Sequence, residues 1–148
     1  MSNVRVNSQY IKDLSFEVPN APKVFIIPSL KPDIALSIDI DATRLSVNAF
    51  EVTLKIKATA TGNFDDASVE SDRTIFICEL NYGGVFTIDE KIQDQAEIEQ
   101  ILLIYCPNIL FPFARKIVSG CTIDGGFPPL MLEPINFSDL YQKRSKQK

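Results

Sequence analysis

The chain contains no histidine. That removes the side chain most often used as general base, triad partner and zinc ligand. What remains for chemistry is a set of carboxylates and three thiols. Asp13 and Glu17 lie in an alternating segment and share a face. The rise of a strand separates them by roughly 13 Å, too far for a cooperating acid–base pair. Asp39 with Asp41, and Asp65 with Asp66, read as solvated strand or turn positions rather than a cage for a hard cation. Cys106 precedes Pro107 with no base to activate it, so it reads as core rather than nucleophile. Neither GxxxxGKS/T nor GxGxxG occurs, so a nucleotide site has no motif support. No catalytic residue, metal or cofactor is expected, and the residues point to a binding protein rather than an enzyme.

The elements that carry these residues read as strands first and helices after. Leu14, Phe16 and Val18 alternate with Asp13, Ser15 and Glu17, the period of a strand with one apolar and one acidic face. Pro19, Pro22, Pro28 and Pro32 then break any ladder. The extended connection between them carries Val24, Phe25, Ile26, Ile27 and Leu30, too apolar to stay unpacked. Ile34 to Ile40 alternate with Ala35, Ser37 and Asp39 in a second strand, and residues 50–60 alternate in a third. Residues 62–72 form a long acidic hairpin connection to which no role is assigned. Residues 73–82 make a fourth strand, with Gly83-Gly84 predicted as a bend or bulge before 85–88. Phe76, Cys78, Leu80 and Tyr82 share one face of it; Ile75, Ile77 and Glu79 share the other.

From about Asp94 the period changes. Ala96, Ile98, Ile101, Leu102 and Tyr105 fit a helical stripe; Pro107 and Pro112 interrupt it, and Pro112 is predicted to kink or restart the helix. After a Gly/Pro-rich loop at 125–134, Asn136 is a good N-cap with Asp139 at the third position. Phe137, Leu140 and Tyr141 fall on one face of this last helix.

Composition bounds the partners. The chain has 148 residues, 45% hydrophobic and 23% charged, which suits one soluble domain over 1–148. A short flexible N-terminus of about 1–8 and a basic tail of about 143–148 are expected to flank it. Lys143, Arg144, Lys146 and Lys148 offset a body of 11 basic against 19 acidic residues, net −8. Such a body repels phosphate backbones and suits a basic partner. Residues 1–10 have no apolar core, and the longest unbroken apolar run, 101–106, is far short of a membrane span. Three widely spaced cysteines without a CxxC fit reduced thiols and a cytoplasmic location.

Several blocks resemble one known family. Residues 10–22 (YIKDLSFEVPNAP), Cys78-Glu79-Leu80 with 82–86 (YGGVF), 105–115 (YCPNILFPFAR), and 125–130 (GGFPPL) with 134–137 (PINF) are similar to SecB, the bacterial protein-export chaperones. The resemblance implies an α+β fold, a four-stranded antiparallel sheet followed by two main helices. It implies a homotetramer, a dimer of dimers, with the long helices sandwiched between the dimers. It implies an ATP-independent holdase that binds unfolded preproteins and delivers them to the SecA motor, meeting the membrane only through SecA. Asp13, Glu17, Ile77 and Glu79 match the family's SecA-contact positions. Phe25, Ile27, Leu30, Ile34, Leu36, Phe137, Leu140 and Tyr141 match its groove for unfolded chain. Cys78, Leu80 and Tyr82 fall where assembly is sensitive and are assigned to packing that supports the oligomer. The alternative within this fold is a holdase dedicated to another client, such as an antitoxin.

Overall fold

The computed structural model of the chain describes residues 3–62 and 73–146. Residues 63–72 of the acidic hairpin and the last two positions of the basic tail, Gln147 and Lys148, therefore lie outside the described residues. Four strands come first: β1 (Val4–Glu17), β2 (Asp33–Arg44), β3 (Ala49–Thr61) and β4 (Thr74–Ile88). They form one antiparallel sheet in the order β1-β4-β3-β2. Helix α1 (Gln95–Gln100), a π-helical turn (Ile101–Tyr105) and α2 (Cys106–Asp124) follow as one continuous rod, and α3 (Phe137–Lys146) closes the chain.

The order makes β1 and β2 opposite edges, so the connection 18–32 must cross the end of the sheet. This explains its apolar content. Val24 is buried against Ala60 of β3 and Ile75 and Phe76 of β4, with Val18, Ile27 and Leu30 packed around them.

β1 is longer than the alternation suggests. Residues 4–8, expected to be a loose arm, pair with β4, Val4 opposite Ile88 and Ser8 opposite Val85. Register shifts between Val6 and Ser8 and between Ile11 and Asp13 explain why. Each extra residue resets the period of two, so no single alternation runs through the strand. The first residues of the basic tail, Lys143 and Arg144, belong to α3.

Gly83-Gly84 is neither bend nor bulge. β4 runs through it in unbroken register, and its one irregularity falls between Thr74 and Phe76. The glycines instead make room. A Cβ on Gly83 would stand 2.9 Å from the Tyr10 ring, and one on Gly84 2.8 Å from the Phe86 ring and 3.0 Å from Leu110.

The helix differs from expectation in the same informative way. α2 continues through Pro112. The disturbance lies earlier, where the Cys106 N–H bonds to the carbonyl of Ile101, five residues back. Pro107 has no N–H to offer Leu103, and a widened turn before it accommodates the loss. The rod Gln95–Asp124 spans 30 residues and is apolar enough by length and composition to cross a membrane. Here its row Leu102, Cys106, Leu110, Ala114 and Val118 is instead buried on the sheet, against Leu54, Ile56, Leu80 and Phe86.

Two caps behave as the residues dictate. Asp94 accepts from the Ala96 N–H at 3.2 Å, and Asn136 accepts from the Asp139 N–H at 3.0 Å. Between α2 and α3, buried Thr122 donates to the Ser119 carbonyl and accepts from the Leu130 N–H. That pins the loop against the sheet end and sets Phe127 among Phe16, Phe25 and Phe76.

Candidate client groove and partner face

The sheet face turned away from the helices carries the acidic ridge. Glu17 lies opposite Ile77, Ser15 opposite Glu79, and Asp13 opposite Asn81. Asp13, Glu17, Ile77 and Glu79 thus share one surface at the β1–β4 edge, with half-buried Ile77 between the carboxylates. Glu79 pairs with Lys57 of β3 at 3.4 Å, both side chains about half exposed. Among the described residues Asp13 and Glu17 make no ion pair. The exposed Lys57–Glu79 pair adds little stability.

Next to the ridge lies a cluster the sequence did not reveal. The bulge at Lys12 turns Tyr10 and Asp13 to the same face. The Tyr10 ring lies over Gly83, and its hydroxyl donates to Glu51 of β3. Lys12 Nζ reaches the other oxygen of Glu51 at 2.7 Å. Three strands are thereby clamped. The two hydrogen bonds hold the Glu51 carboxyl below the usual carboxylate range. Burial, then the Glu51 hydrogen bond, pushes the Tyr10 phenol up to about 12. The signs follow. The Glu51 contribution is complete above pH 4.5 and is lost as pH falls below it. The Tyr10 contribution is complete below pH 10 and is lost as pH rises towards 12. Tyr10→Phe is expected to cost about 1 kcal/mol near neutral pH. In urea titrations that gap from the parent chain should shrink above pH 10; a gap that does not move with pH would show that the hydroxyl contributes nothing to the clamp.

The opposite side of the molecule carries apolar surface. Phe25 on the crossover is 49% exposed although its ring stacks on Phe127 at 5.2 Å. Ile27 and Leu30 are half-buried beside it. Ile34 and Leu36 point to the helix side of edge strand β2, opposite the small Ala60 and Ala58, and remain 40% and 44% exposed. Helix α3 lies farther along the same strand, where Arg144 Nη1 donates to the Ile40 carbonyl at 3.0 Å. Leu140 and Tyr141 of α3 are half-buried. Leu130 packs on both apolar clusters and links the two stretches.

Phe137 stands apart from the other groove residues singled out by sequence. It is 1% exposed and packs edge-on against Phe111, so it anchors α3 and offers no surface. Cys78, Leu80 and Tyr82 are likewise closed in the subunit's own core beneath α2, with Tyr82 stacked on Phe113 at 6.3 Å. Any influence they have on assembly must pass through the helix they carry.

Beyond the expected groove lies a cavity of mixed character. It has a volume of about 370 Å³ and opens between β2 and the long helical rod, where Ile40, Ile98, Leu102 and Leu103 meet the charged or polar Asp41, Arg44, Gln95, Glu99 and Arg144. Ile40 continues the alternation of Ile34, Leu36 and Ile38, and Ile98 and Leu102 belong to the helical stripe. The signal was present in both patterns, but only the crossing of the two elements brings them together.

An antiparallel sheet, a long helix across one face and an apolar trough beside a proline-rich crossover define a SecB-like chaperone scaffold. A SecB-like chaperone of Mycobacterium tuberculosis, solved in complex with a peptide from an antitoxin, shares the fold with a TM-score of 0.65. The match covers 90% of this chain and 91% of that one at 18% identity, a likeness of fold alone. The family described as preprotein translocase subunit SecB matches residues 1–148, and the chain belongs to it. The protein-export protein SecB of Granulibacter bethesdensis is 47% identical over 144 residues, covering 96% of this chain and 82% of that protein. That of Rickettsia akari is 44% identical over 148 residues, covering 99% and 91%. The protein is accordingly a protein-export chaperone, of a family that works by binding rather than by catalysis.

Proposed function

We propose that the protein captures unfolded preproteins along the trough of the crossover, β2 and α3, and passes them to SecA docked on the acidic ridge. The observation that carries this reading is the strip of Phe25, Ile34 and Leu36, large apolar side chains left 40% or more exposed beside a closed core. Exposed apolar surface of this kind is held for a partner. Burial is non-directional, so such a strip accepts many sequences without a code. Ile27, Leu30, Leu140 and Tyr141 form its half-buried margins, and Phe137 fixes the helix behind them.

The ridge suits the other partner. Asp13, Glu17 and Glu79 surround Ile77, which combines steering of a basic segment with one desolvated anchor. The two sites lie on opposite faces of one sheet, so client and motor can be held at once. Neither step involves a nucleotide.

The working unit is a cytoplasmic tetramer, a dimer of dimers. Tyr105 and Phe113 on the long rod are nearly half exposed in the single subunit, an apolar helix face that further copies would cover. Several weak contacts on one long client then add as avidity.

Leu30→Asp tests the trough. Burying a leucine is worth about 1.5–3 kcal/mol, so client affinity should fall on the order of tenfold while light scattering still reports a tetramer. Unchanged capture would remove the crossover from the groove. Retained capture by the parent chain without SecA binding would favour a holdase dedicated to another client.

A further inference from the structure

Hydrogen bonds at the end of β2 show which way the backbone of this edge strand faces. The Leu45 N–H, just past β2, donates to the Ala49 carbonyl at 2.8 Å. The register from Asp33 opposite Thr61 to Arg44 opposite Phe50 runs without a shift. Along an antiparallel strand the backbone groups of successive residues point to alternate sides. Odd-numbered residues of β2 therefore bond to β3, and even-numbered ones face away from the sheet. Ile40 agrees. Its N–H donates to the Asp39 carboxylate at 2.9 Å and its carbonyl accepts from Arg144 at 3.0 Å, so neither group serves the ladder.

The same alternation turns the N–H and carbonyl groups of Ile34, Leu36 and Ile38 off the edge. Among the described residues no hydrogen bond from outside the sheet reaches them. Residues 33–37 are exposed throughout, and Ile34 and Leu36 present their side chains to the trough. Both ends of this open stretch are closed. Pro32 precedes it with no N–H to offer. At the other end Asp39 and Arg144 of α3 occupy both groups of Ile40. Residues 33–38 span roughly 20 Å at the rise of a strand.

We propose that this edge holds the client by its main chain: an extended segment pairs with Ile34, Leu36 and Ile38 as a fifth strand, with its apolar side chains in the trough. The inference rests on the trough being the client site and adds the conformation in which the client is bound. Main-chain pairing gives affinity without a sequence code, and alternate side chains fill the apolar surface beside it. It selects strand-forming segments over helical ones, whose backbone groups are already bonded to one another. A second copy of this chain is the poorer occupant. The two-fold pairing that uses all three residues is centred on Leu36 and sets Asp33 opposite Asp39 twice. Like charges directly opposite each other destabilise a strand pair.

Amide hydrogen exchange on the intact protein tests this, with and without a denatured preprotein and with no nucleotide. The Ile34, Leu36 and Ile38 amides should exchange fast in the free protein and slow on the order of tenfold or more on capture. The Ala35 and Ser37 amides, already bonded to β3, should change little. A second arm uses a short peptide alternating valine with serine, N-methylated on one set or on the other. Antiparallel addition turns the valine N–H groups towards β2, and parallel addition the serine ones. Blocking the set that faces β2 should weaken binding on the order of tenfold, and blocking the other set should leave it within about twofold. The exchange arm decides even where the peptide binds too weakly to measure. Capture with unchanged exchange at all three residues, or equal loss from both methylated sets, would overturn the pairing and leave the trough as the client site. Slow exchange already in the free protein would place a second copy on the edge and overturn it as well. No capture of the preprotein would end both readings.

Discussion

Phe137→Ala should lower the unfolding free energy by about 3–5 kcal/mol, the range for removing a buried aromatic ring. The ring is 1% exposed and meets Phe111 edge-on, with centroids 6.0 Å apart. It is also the one fully buried side chain among the described residues of α3. A helix of ten residues is marginal in water without tertiary packing. Leu140 and the Arg144 bond to Ile40 remain, but each is partly solvated. The variant should therefore lose helical signal and become open to protease in residues 125–136 at denaturant concentrations where the sheet persists. Urea unfolding followed by far-UV ellipticity checks this. A loss below about 1 kcal/mol, typical of a surface site, would mean that the ring is not an anchor and belongs to the groove surface after all.

Glu79→Lys should weaken binding to SecA on the order of 100-fold, because it places a cation where a basic segment must dock. The substitution changes the local charge by two units between Ser15 and Lys57 and sets two lysines side by side. Its cost in stability should stay within about 1 kcal/mol, since the Lys57–Glu79 pair is exposed and weak. Client capture should not change, because the trough is on the other face of the sheet. Titration of the parent chain and the variant with SecA, at low and at moderate salt, separates the terms. Equal loss of client and SecA binding would show a structural role for Glu79 instead.

The parts of the fold that could be read from sequence are those set by local rules. Asn136 reads as an N-cap and accepts the Asp139 N–H as a cap must. Alternation at 13–17 and 76–82 assigned the faces correctly, and the register then placed Asp13, Glu17, Ile77 and Glu79 together. The parts that could not be read depend on distant partners. The first half of β1 was hidden because two bulges cancel the period of two. Gly83 and Gly84 carry the same composition as a turn, yet their purpose is to admit Tyr10, Phe86 and Leu110. Tyr10 and Glu51 are 41 residues apart, and no local pattern joins them. Phe137 and Leu140 share one helical stripe, but the loop before α3 turns the first into the core and leaves the second at its margin. The helix is a similar case: both Pro107 and Pro112 read as interruptions, yet only the turn before Pro107 widens and α2 continues through Pro112.

The most direct test of the central claim is the refolding of a denatured, slow-folding preprotein, with and without one tetramer equivalent of this protein and no nucleotide. The account predicts that refolding is arrested, and that the client is released into translocation when SecA-loaded membranes are added. Unimpeded refolding, with the protein itself folded and tetrameric, would contradict it.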